Sequence, residues 1–196
     1  MTIERKYHGG VRLPRAVTVL LYPTRTVVRR LAVASLASQI GIVVTGGAVR
    51  LASSGLGCPA FPGCTEDSLV TTPELGIHGF VEFGNRLLTF VLTAIAVLTL
   101  VAAHRFRPVR PSLRRLAWVL MLGIPAQALI GGWTVLTDLN PWVVMLHFMC
   151  SAVLIAVATT LVRRVDEPDG PVRLLSSVWV TRLAKGVWVL AFATLY

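Results

Sequence analysis

Four runs of about 20 predominantly apolar residues, at positions 31–49, 87–103, 116–136 and 142–162, leave this chain few ways to fold. In a bilayer every backbone N–H and C=O must be bonded internally, and runs of this length do that as helices, since a barrel strand needs only about half as many residues. Charged residues make up 14% of the chain, whereas a soluble domain carries about a quarter. The expected fold is therefore all-α, a polytopic membrane four-helix bundle. Residues 1–30 read as a leader, 31–162 as the bundle, 163–185 as a loop and 186–196 as the start of a fifth helix, too short as given to cross.

Orientation is set by Lys and Arg in the short connections. The leader holds Arg5, Lys6, Arg12, Arg15, Arg25, Arg29 and Arg30, and the second connection holds Arg105, Arg107, Arg110, Arg114 and Arg115. Both are expected in the cytoplasm, as is the fourth connection, where basic residues mix with Asp166, Glu167 and Asp169. The first connection carries Glu66, Asp67 and Glu74, and the third is the turn 137–141; these face outward. A net charge of +10 would suit nucleic acid in a soluble protein, but no basic stretch here interleaves aromatics or matches a reader motif. The charge fits an anionic inner leaflet, with membrane lipid as the surrounding solvent.

The long outer loop, from about residue 50 to 77, contains Cys58-Pro-Ala-Phe-Pro-Gly-Cys64. On an oxidising side the two thiols can close a disulfide that staples the loop, or serve as a redox-active pair; zinc would need ligands the loop lacks. Cys150, in the fourth run, reads as a small buried hydrophobe.

Steps of four place His78, Glu82 and Arg86 on one face where the second helix begins, with Asn85 beside them. Arg86 alone reads equally well as an interfacial anchor. Glu82 is harder to dismiss, because a carboxylate among apolar helix positions is costly unless paired and marks a functional site by default. His147 stands about one and a half turns into the fourth helix, at the depth of the Glu82 cluster, so the two are expected to face each other. A helix histidine is commonly a hydrogen-bonded core residue; in a bilayer, metal or haem iron is the other partner that satisfies it. The third helix adds Gln127 and Gly131-Gly132-Trp133-Thr134, whose glycines admit a close neighbour or a flat ligand.

Three stretches resemble the heme A synthase family. They are Thr45-Gly-Gly-Ala-Val-Arg-Leu51 continuing through Ser54-Gly-Leu-Gly-Cys58 to Cys64, Glu82-Phe-Gly-Asn-Arg86, and Ile130 through Trp142 to His147-Phe148. The resemblance implies one half of an eight-helix architecture, each half able to hold a haem between two histidines. It implies an oxidoreductase that converts a ring methyl of haem O to a formyl group for cytochrome oxidase biogenesis. His147 would be a haem-facing histidine, Glu82 the catalytic carboxylate, and the loop cysteines the pair seen in bacterial members. The family's Glu-x-x-His-Arg motif has Asn85 at the histidine position here, which makes His78 the candidate second iron ligand. Arg50 and Arg86 are placed to meet haem propionates. Haem b would belong to the other half; an electron donor and haem O synthase are the implied partners, and the bacterial cell membrane the location. Two other functions compete: a b-type cytochrome that only passes electrons, and a haem carrier or oxidase assembly factor.

Overall fold

The computed structural model describes residues 21–167 together with Asp169, Trp179, Arg182 and Gly186. The described residues form helices α1 (Arg25–Leu51), α2 (Gly76–Arg105), α3 (Pro111–Leu136) and α4 (Pro141–Asp166), with a 3-10 turn at Pro73–Leu75 and no strand. All four helices are long and apolar enough to cross a membrane. The predicted start of a fifth helix, and most of the leader and of the fourth connection, lie outside the described residues.

Each helix overruns its apolar run where polar partners await it. α1 starts at Arg25, inside the predicted leader, where the Thr24 hydroxyl accepts the Val27 N–H at 3.4 Å and caps the helix. Arg25 and Arg29, one turn apart at the start of α1, pair with Asp166 at the end of α4, at 2.9 and 3.1 Å. α2 starts well before residue 87, from Gly76, whose φ of +58° suits glycine and turns the chain out of the 3-10 segment. Pro111 and Pro141 sit in the first turns of α3 and α4, where a missing N–H costs nothing.

The helices pack in chain order, and α4 closes back on α1. Most of the buried apolar core lies toward the arginine-rich end, where Val28, Ala32, Ala102, Ala103, Leu113, Ala117, Leu120, Ala158 and Leu161 form one cluster. Its alanines let backbones approach closely, which is how helices gain packing energy where lipid is as apolar as the side chains. Within the same half Ser35 and Thr99 share a buried hydrogen bond of 3.0 Å across α1 and α2. Beyond that end, Arg110 pairs with Asp169 at 3.1 Å. Burial raises the Asp169 carboxyl, but hydrogen bonds from Ser112 and Arg110 outweigh it and hold the group below its ordinary value.

Toward the opposite end, which carries the long loop, helix contacts become small and polar. Gly46 meets Asn85 between α1 and α2, and Gly131 meets His147 between α3 and α4. The second, smaller core cluster of Leu92, Ala96 and Ile124 stands where this change begins.

Candidate functional site

The loop between α1 and α2 is built by the Cys58–Cys64 disulfide and seated on the bundle at four places. Phe61, between the cysteines, lies over Gly132 of α3, so that a Cβ there would stand 2.6 Å from its ring. Leu139, held at a φ of +57° in the α3–α4 turn, fills the space beside Gly55. Gly57 crosses the first turn of α2, and a Cβ at Gly57 would stand 2.2 Å from the His78 carbonyl oxygen. The fourth contact is polar and runs through Glu82 and Arg86. Gly57→Ala is expected to lift the loop, since forcing atoms into a filled contact costs about 1–3 kcal/mol. A lower unfolding temperature and faster reduction of the disulfide would show it; an unchanged reduction rate would mean that the crossing does not seat the loop.

Glu82 is the only buried charged residue among the described residues, at 6% exposure. Its Oε2 accepts the Cys58 N–H at 2.8 Å, and its Oε1 accepts from Arg86 Nη2 at 2.6 Å, one turn away. Arg86 also donates to the carbonyls of Cys58, Ala60 and Gly63 at 3.0, 3.0 and 2.8 Å. Its two terminal nitrogens are thus taken up by Glu82 and the loop. Arg50, in the last turn of α1, is exposed. His78 is exposed as well, and its Nδ1 shares a 2.7 Å bond with the Ser54 hydroxyl at the rim. Asn85 points to α1, where its Oδ1 accepts from Thr45 at 2.6 Å.

No hydrogen bond joins His147 to this group among the described residues. Its ring lies against α3, with Cε1 and Nδ1 at 3.2 and 3.7 Å from where a Cβ of Gly131 would stand. Nδ1 is buried and has no hydrogen-bond partner. Gln127, one turn before Gly131, donates from Nε2 to the His147 carbonyl at 3.0 Å and to the Ser151 hydroxyl, while its own Oε1 is buried and unpartnered. Cys150 is half-buried rather than buried.

The structure therefore divides the predicted site residues. His78, Glu82 and Arg86 join the disulfide loop, Asn85 joins α1, and His147 joins Gln127 and Ser151 between α3 and α4. Sequence reasoning missed the partners Thr45, Ser54 and Phe61. The signal for Phe61 was the Gly131-Gly132 pair, which makes room for one ring on each residue. A haem held through one imidazole fits this arrangement: a ring with neither nitrogen hydrogen-bonded, a glycine beside it and no carboxylate bonded to it leave a neutral nitrogen of the kind that haem iron takes.

A family model described as "Cytochrome oxidase assembly protein" (COX15-CtaA) matches residues 29–196. The chain belongs to this family. Among the COX15-CtaA relatives, the Heme A synthase of Lysinibacillus sphaericus (strain C3-41) is 34% identical over 143 residues, 70% of this chain and 45% of the relative. The Heme A synthase of Geobacillus thermodenitrificans is 31% identical over 122 residues, 61% of this chain and 37% of its own length. The Heme A synthase of Listeria monocytogenes (strain EGD-e) is 27% identical over 155 residues, covering 78% and 50%. The chain spans about half, or less, of the length of these relatives. No solved structure matches it. The four helices and the COX15-CtaA membership make this a multi-pass membrane protein.

Proposed function

We propose that this chain acts on haem O, oxidising a ring methyl to a formyl group so that the product can enter cytochrome oxidase. The observation that carries the reading is His147: an imidazole with neither ring nitrogen hydrogen-bonded, beside glycine, in a membrane bundle of this family. His147 would hold the substrate's iron, which supplies the oxidation chemistry. Glu82 is the catalytic carboxylate of this proposal, holding or moving a proton at its Oε atoms with Arg86 as its counter-charge. Arg50, exposed at the end of α1, is the residue placed to receive a propionate.

In this reading the arginine-rich end and the N-terminus lie in the cytoplasm of a bacterial cell, and the disulfide loop lies outside. A haem b, if present, belongs to the length of the relatives that this chain does not span. An electron donor and a haem O synthase complete the proposed set of partners.

An electron-transfer cytochrome would hold its iron between two fixed ligands. His78 is exposed at the rim and Asn85, bonded to Thr45, carries no imidazole, so the described residues offer one embedded imidazole, which favours the enzyme. The test is to express the chain with a supply of haem O in cells lacking their own formyl-haem production and to analyse the extracted pigment. Formyl-haem is the expected product. Haem O recovered unchanged with the protein would replace the enzyme by a carrier or a cytochrome.

A further inference from the structure

We propose that Gln127 is the positioning residue for His147: its side-chain carbonyl receives the Nδ1–H of the imidazole and so leaves Nε2 as the nitrogen that faces iron. This rests on the reading that His147 holds a haem.

Four buried side-chain atoms without a hydrogen-bond partner occur among the described residues, and two of them are Gln127 Oε1 and His147 Nδ1. One is an obligate acceptor and the other a donor in one tautomer, so each is what the other lacks. They belong to residues already in contact, because Gln127 Nε2 stands 3.0 Å from the His147 carbonyl. That bond also settles the amide orientation. Turned the other way, Gln127 would set its carbonyl oxygen against that of His147, whereas as it stands Nε2 serves α4 and Oε1 remains free.

Gln127 and Gly131 lie one turn apart on the same face of α3. The His147 ring rests at the Gly131 position, where a side chain would crowd it. Inside a bilayer, water is not at hand to satisfy either atom, so a direct bond between them is the inexpensive solution. The chemical result is specific. An acceptor on the far nitrogen fixes the tautomer, steadies the ring and raises the basicity of the ligating nitrogen. Gln127 thereby does two things with one carboxamide: it fastens α3 to the α4 backbone and it presents the imidazole.

The test uses the purified chain in detergent, titrated with haemin, with affinity and midpoint potential as readouts. Gln127→Leu removes the acceptor and is expected to weaken haemin binding about 10- to 100-fold and to raise the potential. Gln127→Glu keeps an acceptor, gives up the donor to the His147 carbonyl, and is expected to hold haemin while lowering the potential, because a carboxylate draws the proton harder. If Gln127 only fastens α3 to α4, Glu and Leu should move both readouts in the same direction, and that result overturns the proposal. So does wild-type affinity and potential in Gln127→Leu. Should the leucine variant fail to fold, the glutamate variant decides alone, since an unshifted potential refutes an acceptor at Nδ1. His147→Ala separates this inference from the reading beneath it. Haemin bound as in wild type by that variant defeats the ligand assignment, whereas loss of haemin in His147→Ala with unaltered Gln127 variants defeats only the role of Gln127.

Discussion

Replacing His147 with alanine is expected to abolish haem binding while leaving the four-helix bundle folded. The two halves of this expectation rest on different atoms. The side-chain hydrogen bonds that His147 receives from Gln127 and Ser151 go to its main-chain carbonyl, and alanine carries the same carbonyl. The side chain contributes a buried nitrogen with no partner, and deleting such an atom removes a desolvation penalty of about 1–3 kcal/mol, which offsets part of the packing lost with the ring. Unfolding temperature and yield should therefore stay close to wild type. Haem is another matter, because the described part of the bundle has no second embedded imidazole to take over the iron: His78 sits at the exposed rim and His104 is near the arginine-rich end of α2, where its Nδ1 is bonded to the Leu100 carbonyl. Absorbance and pyridine-haemochrome content of the purified variant check the point. Undiminished haem with an unaltered spectrum would return His147 to the status of a core histidine.

The helices were legible because hydropathy is additive: a run of about 20 apolar residues declares a span without reference to its neighbours. The ends were less legible. α2 runs back to Gly76 across His78, Glu82 and Arg86, residues that lower hydropathy; Glu82 and Arg86 are sheltered by a loop whose N–H and carbonyl groups they bind, and His78 bonds the Ser54 hydroxyl at the rim. Sharing of a face was correctly read from the spacing of His78, Glu82 and Arg86, yet spacing says nothing about what lies opposite that face. On that face the disulfide loop folds back onto α2 and supplies hydrogen-bond partners for Glu82 and Arg86 that spacing could not announce. The same limit applies to Arg86: a guanidinium that could clamp a propionate equally matches three backbone carbonyls, and only the path of the loop decides between them. The Gly131-Gly132 pair was read as room for a close neighbour or a flat ligand, and the structure sets two rings of the protein's own there, from His147 and Phe61.

Glu82→Gln is expected to cut formyl-haem formation by at least an order of magnitude per haem-loaded molecule, while haem remains bound. A positioned acid or base usually accounts for about 10²- to 10⁴-fold in rate, and glutamine keeps the volume of the side chain while losing its charge and its capacity to exchange a proton. The geometry adds a structural effect that must be measured beside it. Glu82 accepts on both oxygens, from the Cys58 N–H and from Arg86, and a carboxamide can accept on only one; whichever way it turns, its NH2 meets one of those two donors. If the main duty of Glu82 is to latch the loop, the substitution strands Arg86 as a partly buried cation, and removing one partner of such a pair costs about 3–5 kcal/mol when burial is complete. Arg86 retains three carbonyl acceptors and some solvent exposure, so the penalty should fall below that range. Faster reduction of the Cys58–Cys64 bond and a lower unfolding temperature, with wild-type product per haem-loaded molecule, would make Glu82 a latch and end its catalytic assignment. Product loss with the disulfide as well protected as in wild type would leave proton handling as its role, because the loop above the carboxylate would then be in place and only the titratable group gone.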